Sequence, residues 1–298
     1  MHADEVAIDS SLVGRLLAAQ FPRWVGLPLA PVPSAGTDNA LYRLGDGMVV
    51  RLPRIPGATG QVEKEHAWLP RLAPLLPLPI PVPLAMGMPA EGYPWRWSVY
   101  RWLEGETARI ERLADPREAA TDLARFVTAL RSIDPTGGPA PGDNNSFRGD
   151  PLATRDEETR AAIAVLHDVL DPGAVTAAWD ASLAAPVWSG TPVWLHGDLL
   201  AENLLARHGR LSAVIDLGCL GVGDPACDVM VAWTYLPRSA RDVFRAALAI
   251  DDPTWARGRG WALSFGLIVL PYYRRTNPVL AAIARNAVQE ALADHGRN

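Results

Sequence analysis

The order of patterns along this chain predicts an α+β fold of two unequal lobes. A small N-terminal lobe would hold an antiparallel sheet, and a larger C-terminal lobe would be mainly helical. Three observations carry that expectation. Residues 40–52 read as two short strands around Gly45-Asp46-Gly47, as a β-hairpin does. Residues 96–103, rich in Trp, Tyr and Val, read as a further strand. From Asp115 onward the apolar residues recur mainly at helical spacing. The boundary is drawn between Leu103 and Glu104, dividing the chain into residues 1–103 and 104–298.

Taken in order, Asp9 or Ser10 can cap a first helix whose Leu12, Val13, Leu16 and Leu17 share one face. The hairpin follows, with Ala40 to Leu44 and Met48 to Leu52 as its strands and the Asp-Gly pair supplying the positive φ of the turn. Gln61 to Leu72 reads as a helix that packs through Trp68, Leu69 and Leu72. The proline-dense stretch from Pro70 to Pro94 is expected to be extended or looped. Glu104-Gly105-Glu106 closes the last strand as a loop. Leu123, Phe126, Val127 and Leu130 form the stripe of the next helix, and Pro135 to Ser146 is a Pro/Gly/Asn linker. Further helices are expected at residues 157–169, 240–249, 260–270 and 279–293, the third ending near Pro271.

Composition narrows the function classes. The 298 residues suffice for a sizeable core, 49% are hydrophobic and 20% are charged, as in a globular protein in water. A net charge of −5 gives no reason to expect nucleic acid or an anionic membrane as partner. The start carries Asp4, Glu5 and Asp9 and no apolar signal core, so a cytoplasmic location is expected. The longest apolar stretch, Trp261 to Tyr273, is short of the roughly 20 residues that span a bilayer. The two cysteines, Cys219 and Cys227, make no disulfide framework and lack zinc-ligand spacing, so they read as small buried residues.

The chemistry concentrates in one segment, VWLHGDLLAENLLARHGRLSAVIDLGCLGVGDPACD. Asp198, just after the apolar Val193-Trp194-Leu195, is placed to sit at a cleft edge and take a proton from an acceptor hydroxyl. Asn203 and Asp216 are candidate magnesium ligands, because a hard cation prefers oxygen. Leu211 to Ile215 reads as a short strand that delivers Asp216 to the same cleft. His196 reads as a hydrogen-bonded structural residue. His-Gly-Asp, Asn203 five residues later, and Asp216-Leu217-Gly218 match the kinase spacing H-R-D-x-x-x-x-N followed by D-F-G.

The segment resembles the aminoglycoside phosphotransferase branch of the kinase-like enzymes, within the choline kinase-like superfamily. The resemblance covers most of the chain. It implies a protein-kinase-like two-lobed fold with the nucleotide, ATP or GTP with Mg2+, in a cleft beneath the connector of Arg101, Trp102 and Leu103. Arg51, in the place of the kinase lysine, would hold phosphates with Glu65 as its partner and Glu63 as second choice. Thr37, Asp38 and Asn39 would close over the phosphates, and Gly223-Asp224-Pro225 with Asp228 would brace the catalytic loop. The chain departs at Leu200-Ala201-Glu202, where relatives often carry His-Pro-Gly, and at Leu217 for Phe. No room remains for a protein-kinase activation segment, so the expected partners are a nucleotide and a small-molecule hydroxyl acceptor.

The expected acceptor is an aminoglycoside or similar cationic amino-sugar, with Asp156, Glu157, Glu158, Glu290 and Asp294 as the available acids. The alternative is a metabolic hydroxyl kinase for choline, a sugar or homoserine, with Tyr272, Tyr273 or a Trp stacking on the ligand. A catalytically idle nucleotide-binding module is the rival from another class; intact Asp198, Asn203 and Asp216 count against it.

Overall fold

Asp9 accepts a hydrogen bond from Leu12 N at 2.7 Å, which fixes the start of α1 (Ser10–Gln20). The structure is a computed structural model that describes residues 6–33 and 38–296. Leu12, Val13, Leu16 and Leu17 are buried as their spacing predicts, against Tyr42, Leu44, Val50, Leu52, Trp97 and Val99. The helix and the sheet thus share one apolar cluster.

The sheet comprises β1 (Leu29–Pro31), β2 (Asn39–Leu44), β3 (Met48–Pro53), β4 (Pro83–Gly87) and β5 (Trp97–Arg101), with α2 (Gly60–Leu72) between β3 and β4. It is antiparallel throughout, in the order β1-β2-β3-β5-β4. The hairpin forms where expected, with Leu44 opposite Met48 and Leu41 opposite Arg51. Its left-handed residue is Gly45 (φ 55°), however, and not the Asp46-Gly47 pair. The Gly45 N–H donates to Pro28 O at 2.8 Å, so the turn is shaped by its tie to the preceding segment.

The proline-dense stretch is more ordered than its composition suggests. Pro70 lies inside the last turn of α2, and Pro83 begins β4. Because β4 is an outer strand of the sheet, a residue without an N–H can be placed there without breaking a central ladder.

The second lobe runs through β6 (Glu106–Thr107), α3 (Pro116–Arg131), α4 (Asp156–Val165), α5 (Pro172–Leu183), β7 (Val193–Leu195), β8 (Leu204–Arg207), β9 (Arg210–Val214) and β10 (Gly221–Gly223). It closes with α6 (Ala226–Val229), α7 (Val231–Thr234), α8 (Arg238–Leu248), α9 (Asp252–Tyr273) and α10 (Pro278–His295). β6-β8-β9 and β7-β10 form two small antiparallel sheets. Around them Trp179, Trp194, Trp233 and Trp261 are fully buried in a core shared by the helices. The helical expectations are corrected in three places: α4 ends at Val165, not at residue 169. α9 begins at Asp252, not Gly260, with Asp251 accepting from Thr254 N, and Pro271 falls within its last turn. α5 was not anticipated. Among the described residues no helix is long and apolar enough to cross a membrane.

Candidate active site

β7 ends at Leu195 and hands the chain to His196, Gly197 and Asp198. The loop is pinned from below: His196 N and Gly197 N donate to the two carboxylate oxygens of the buried Asp228, each at 2.8 Å. Asp224, the other acid of the Gly-Asp-Pro segment, instead takes a bidentate contact from Arg257, with Nε at 2.8 Å and Nη2 at 3.2 Å. His196 is fully buried; its Nε2 faces Ile215 O at 3.0 Å and its Nδ1 faces Asp198 N at 3.1 Å. Those partners fit one neutral tautomer, with the proton on Nε2.

The glycine of His-Gly-Asp has a local cause. Gly197 has φ 82°, and a Cβ there would lie 2.6 Å from Cys219 O. An arginine at this position would need both a strained backbone and a displaced neighbour.

The hairpin of β8 and β9 carries the other two motif residues. Ile215 N donates to Asn203 O at 2.8 Å, which ties the end of β9 to the start of β8. Asn203 Nδ2 then donates to Asp198 O at 2.8 Å and to Asp198 Oδ2 at 3.0 Å. Asp198 keeps 26% of its side-chain surface accessible. Burial raises its pKa above the ordinary carboxylate value; Asp216 adds to that, while Arg148 and the Asn203 hydrogen bond pull it back. Arg148 Nη2 lies 3.9 Å from Asp198 Oδ1. Asp216 follows β9 in a left-handed conformation (φ 59°), and 47% of its side chain is accessible.

Arg51, on β3, reaches across from the first lobe. Its Nη1 bonds Glu65 Oε1 at 2.6 Å, and its Nη2 bonds Asp216 Oδ1 at 2.8 Å and Gln61 Oε1 at 3.0 Å. With its amide oxygen turned towards the guanidinium, Asn39 adds contacts of 3.0 and 3.2 Å. Glu65 is 1% exposed and also accepts from the Tyr100 hydroxyl. Burial alone would lower the Arg51 pKa, but Glu65, Asp216 and Tyr100 together raise it. Glu63, the second-choice partner, pairs with Arg96 instead.

The remaining predicted residues are placed as follows. Asp38 O accepts from Arg54 N at 2.7 Å, and Thr37 lies outside the described residues. In the connector, Arg101 N donates to Val82 O and Trp102 N to Gly47 O, while Leu103 is half-buried beside them. The Arg43 guanidinium stacks over the Trp102 ring at 3.9 Å. Burial pushes the Cys219 thiol up to about 12 and the Cys227 thiol higher still, which leaves neither poised as a thiolate.

Of the acids suggested for a cationic acceptor, four are engaged by arginines: Asp156 by Arg160, Glu158 by Arg155, Glu290 by Arg241 and Asp294 by Arg259. Glu157 is exposed on α4. Tyr272 and Tyr273 meet edge-on, ring centres 4.6 Å apart, at the end of α9.

Asn203 spends its amide nitrogen on Asp198, so its oxygen is the atom left for a cation; Asp216 adds a partly exposed carboxylate. This all-oxygen pair fits Mg2+, which commonly takes only one or two protein ligands beside substrate phosphates. Among the described residues no three of His, Cys, Asp and Glu gather as a metal site of their own, and a site completed by a nucleotide does not need them to.

Sequence reasoning missed Gln61, Tyr100, Lys64 and Arg148. Lys64 Nζ bridges Asn144 O and Gly218 O, each at 2.7 Å, linking α2 to both the linker and the Asp-Leu-Gly turn. Helical spacing could have placed Gln61 beside Glu65, four residues on. Arg148 follows a linker whose composition reads only as a connection, and nothing local announces it.

The phosphotransferase enzyme family matches the chain over residues 30–261. Solved structures with the same fold include the GDP complex of wild-type aminoglycoside 2'-phosphotransferase-IIIa, 18% identical with a TM-score of 0.74, covering 97% of this chain and all of that one. The gentamicin–APH(2")-IIa complex is 18% identical with a TM-score of 0.64, over 96% and 99% of the two chains. Macrolide 2'-phosphotransferase MphH from Brachybacterium faecium is 23% identical with a TM-score of 0.62, over 94% and 98%. No curated protein matches.

Proposed function

This chain belongs to the phosphotransferase enzyme family, and from that premise we propose that it moves the γ-phosphoryl group of ATP or GTP to a hydroxyl of a small molecule. The observation that carries the reading is one connected chain of contacts: Asn203 holds Asp198, Ile215 N ties Asn203 to the end of β9 that leads into Asp216, and Arg51 reaches Asp216 from the sheet. Three groups spaced along the sequence need not be linked; their linkage to an arginine that can hold phosphates supports the reading.

Asp198 orients the acceptor O–H and takes its proton. The acceptor oxygen forms a bond to the γ-phosphorus as the bond to the bridging oxygen breaks, and that electron pair leaves with ADP or GDP. Asn203, held by Asp198, keeps the carboxylate fixed for that role. Arg51, seated on Glu65, holds the phosphates, and Asp38 and Asn39, where β2 starts, cover them. The connector residues Arg101, Trp102 and Leu103 border the base. Asn203 and Asp216 would hold Mg2+, and the bound cation would supply charge to offset that of the phosphates. Residues 1–103 form the nucleotide-binding lobe, residues 104–298 bring the catalytic loop and the acceptor, and the enzyme works in the cytoplasm, where nucleotide triphosphates are at hand.

An aminoglycoside or related amino-sugar acceptor is supported by the complexes of the similar structures alone, since most of the acids proposed for it are engaged by arginines. The test is a screen for magnesium-dependent ADP or GDP release over amino-sugars, macrolides, choline, sugars and hydroxy acids. Release stimulated by one acceptor class is expected. Magnesium-nucleotide binding without acceptor-stimulated release in any class would instead favour an idle binding module.

A further inference from the structure

The ammonium of Lys64, on α2, holds two backbone carbonyls of the second lobe. Its Nζ donates to Gly218 O and to Asn144 O, each at 2.7 Å. A lysine at a protein surface ordinarily sends its head to water. This one turns to the short turn Leu217–Cys219 that follows Asp216. The approach there is close. A Cβ on Gly218 would lie 2.9 Å from the Gln61 amide, so α2 meets the turn through two side chains, Gln61 and Lys64.

Asp216 needs such support. It is a non-glycine residue in the left-handed region (φ 59°), a conformation that persists only where the surroundings fix it. Within the turn, Leu217 is buried and Leu220 N closes on Leu217 O at 3.0 Å. The Asp216 carboxylate itself is paired with Arg51, and phosphates would compete for that guanidinium. When the pair opens, Lys64 still grips the backbone two residues further on. Lys64 also shares its helix with Gln61 and Glu65, both bonded to Arg51. One helix therefore places the guanidinium and the metal-ligand turn together. The Asn144 carbonyl anchors the same ammonium to the linker, which gives it a fixed place from which to hold Gly218.

We propose that Lys64 is a positioning residue for magnesium: through the Gly218 carbonyl it holds the turn in the conformation that presents the Asp216 carboxylate to the cation. This rests on the phosphotransferase reading above and adds to it a residue that acts through the turn rather than on the metal.

Lys64→Met keeps the length of the side chain and removes its charge and its donors. ATP or GTP is titrated into parent and variant calorimetrically, without magnesium and at a series of magnesium concentrations. The variant should need about tenfold more magnesium to reach half of the magnesium-dependent gain in affinity, as when a partner behind a metal ligand is lost. Its magnesium-free affinity should be unchanged, because Arg51 keeps Glu65 and Gln61. Lys64→Arg, which keeps charge and donors, should recover part of the loss. A second measurement needs no metal. Hydrogen exchange across residues 216–220 should be faster in Lys64→Met than in the parent, with exchange in the β2–β3 hairpin unchanged. Lys64→Gln, which loses the charge and keeps a donor, stands in where Lys64→Met does not fold. A residue that only stabilises the fold would lower the melting temperature and weaken nucleotide binding equally with and without magnesium. That result overturns the proposal, as does parental exchange at the turn. The parent separates the two readings. Parental nucleotide binding that ignores magnesium defeats the metal site, and the role of Lys64 with it. A magnesium-dependent parent matched by Lys64→Met defeats the role of Lys64 alone.

Discussion

Arg51 Nη2 sits 2.8 Å from Asp216 Oδ1, so an ion pair joins the sheet of the first lobe to the metal-ligand candidate of the second. On its other side the same guanidinium holds Glu65 at 2.6 Å. One cation therefore spans two carboxylates of different character: Glu65 is 1% exposed, Asp216 47%. Breaking the Glu65 contact leaves a buried charge, whereas Asp216 can turn to water or to a metal. The contact to Glu65 is thus the fixed half of the bridge, and the contact to Asp216 is the half that can be exchanged when phosphates arrive.

Arg51→Ala is expected to weaken magnesium-nucleotide binding by at least about tenfold and to lower stability by about 3 kcal/mol, because Glu65 then keeps only the Tyr100 hydroxyl. Glu65→Gln keeps a partner for Arg51 and should affect nucleotide binding less. Calorimetric titration and denaturant unfolding of the two variants check this. Unchanged nucleotide affinity in Arg51→Ala removes the residue from the site.

Gly197→Ala should disturb the catalytic loop without touching the nucleotide. The added methyl meets Cys219 O at 2.6 Å on a backbone at φ 82°. The cost is about 1–3 kcal/mol, and the loop can relieve it only by moving Asp198, whose amide follows directly. Nucleotide affinity within twofold of the parent, with kcat reduced by about tenfold or more, is the expected pair of results. A variant with parental kcat would show that the loop tolerates a side chain there.

The pH profile follows from the surroundings of Asp198. Its pKa in the folded protein is raised by burial and by Asp216, above the ordinary aspartate value of about 3.9. The carboxylate is the active form, so kcat at saturating acceptor should fall as pH drops through that raised value. For stability, the folded state holds this proton more tightly than the unfolded state does. Asp198 therefore contributes most to stability below the unfolded value, and that contribution is lost as pH rises through the folded one. Arg148 pulls the pKa down, so Arg148→Gln should move the acid limb of kcat to higher pH. A limb that stays in place, or moves to lower pH, separates Arg148 from the base.

The parts of the fold legible in the sequence are those where one pattern governs a whole element. The β2–β3 hairpin and α1 have alternation or a stripe, a turn or a cap, and they form where those signals lie. α5 does not: its Ala-rich sequence has no polar face to set against a buried one, although Asp171 and Pro172 mark its start. In α9 the buried Arg257 and Arg259 break the apolar pattern, because tertiary partners at Asp224 and Asp294 neutralise charges that the sequence alone marks as exposed. The site divides in the same way. Asp198, Asn203 and Asp216 are legible because they lie in one short segment at a recognisable spacing. Arg148 and Lys64 act through contacts that only folding creates, with partners 50 and 154 residues away.

The sharpest prediction separates the two aspartates of the cleft. Asp198 is bound by the Asn203 amide and faces Arg148 at 3.9 Å, while Asp216 faces Arg51 and carries the exposed oxygens. Asp198→Asn removes the proton acceptor and keeps the shape of the side chain. Magnesium-nucleotide affinity should remain close to parental, while kcat should fall by ~10²–10⁴-fold. Asp216→Asn removes a charged metal ligand and the Arg51 ion pair together. It should cost magnesium-dependent nucleotide binding as well as rate, and Asn203→Ala should resemble it more mildly, since a neutral ligand is lost. Titration of each folded variant with nucleotide, with and without magnesium, beside a turnover assay, reads both effects. Because Asp216→Asn also frees Arg51, its magnesium-free nucleotide affinity should hold or rise while its magnesium-dependent affinity falls; that crossing of the two curves is the signature of a metal ligand rather than of general damage. If Asp198→Asn turns over like the parent, or Asp216→Asn keeps its full magnesium-dependent binding, the roles assigned to the two carboxylates are wrong.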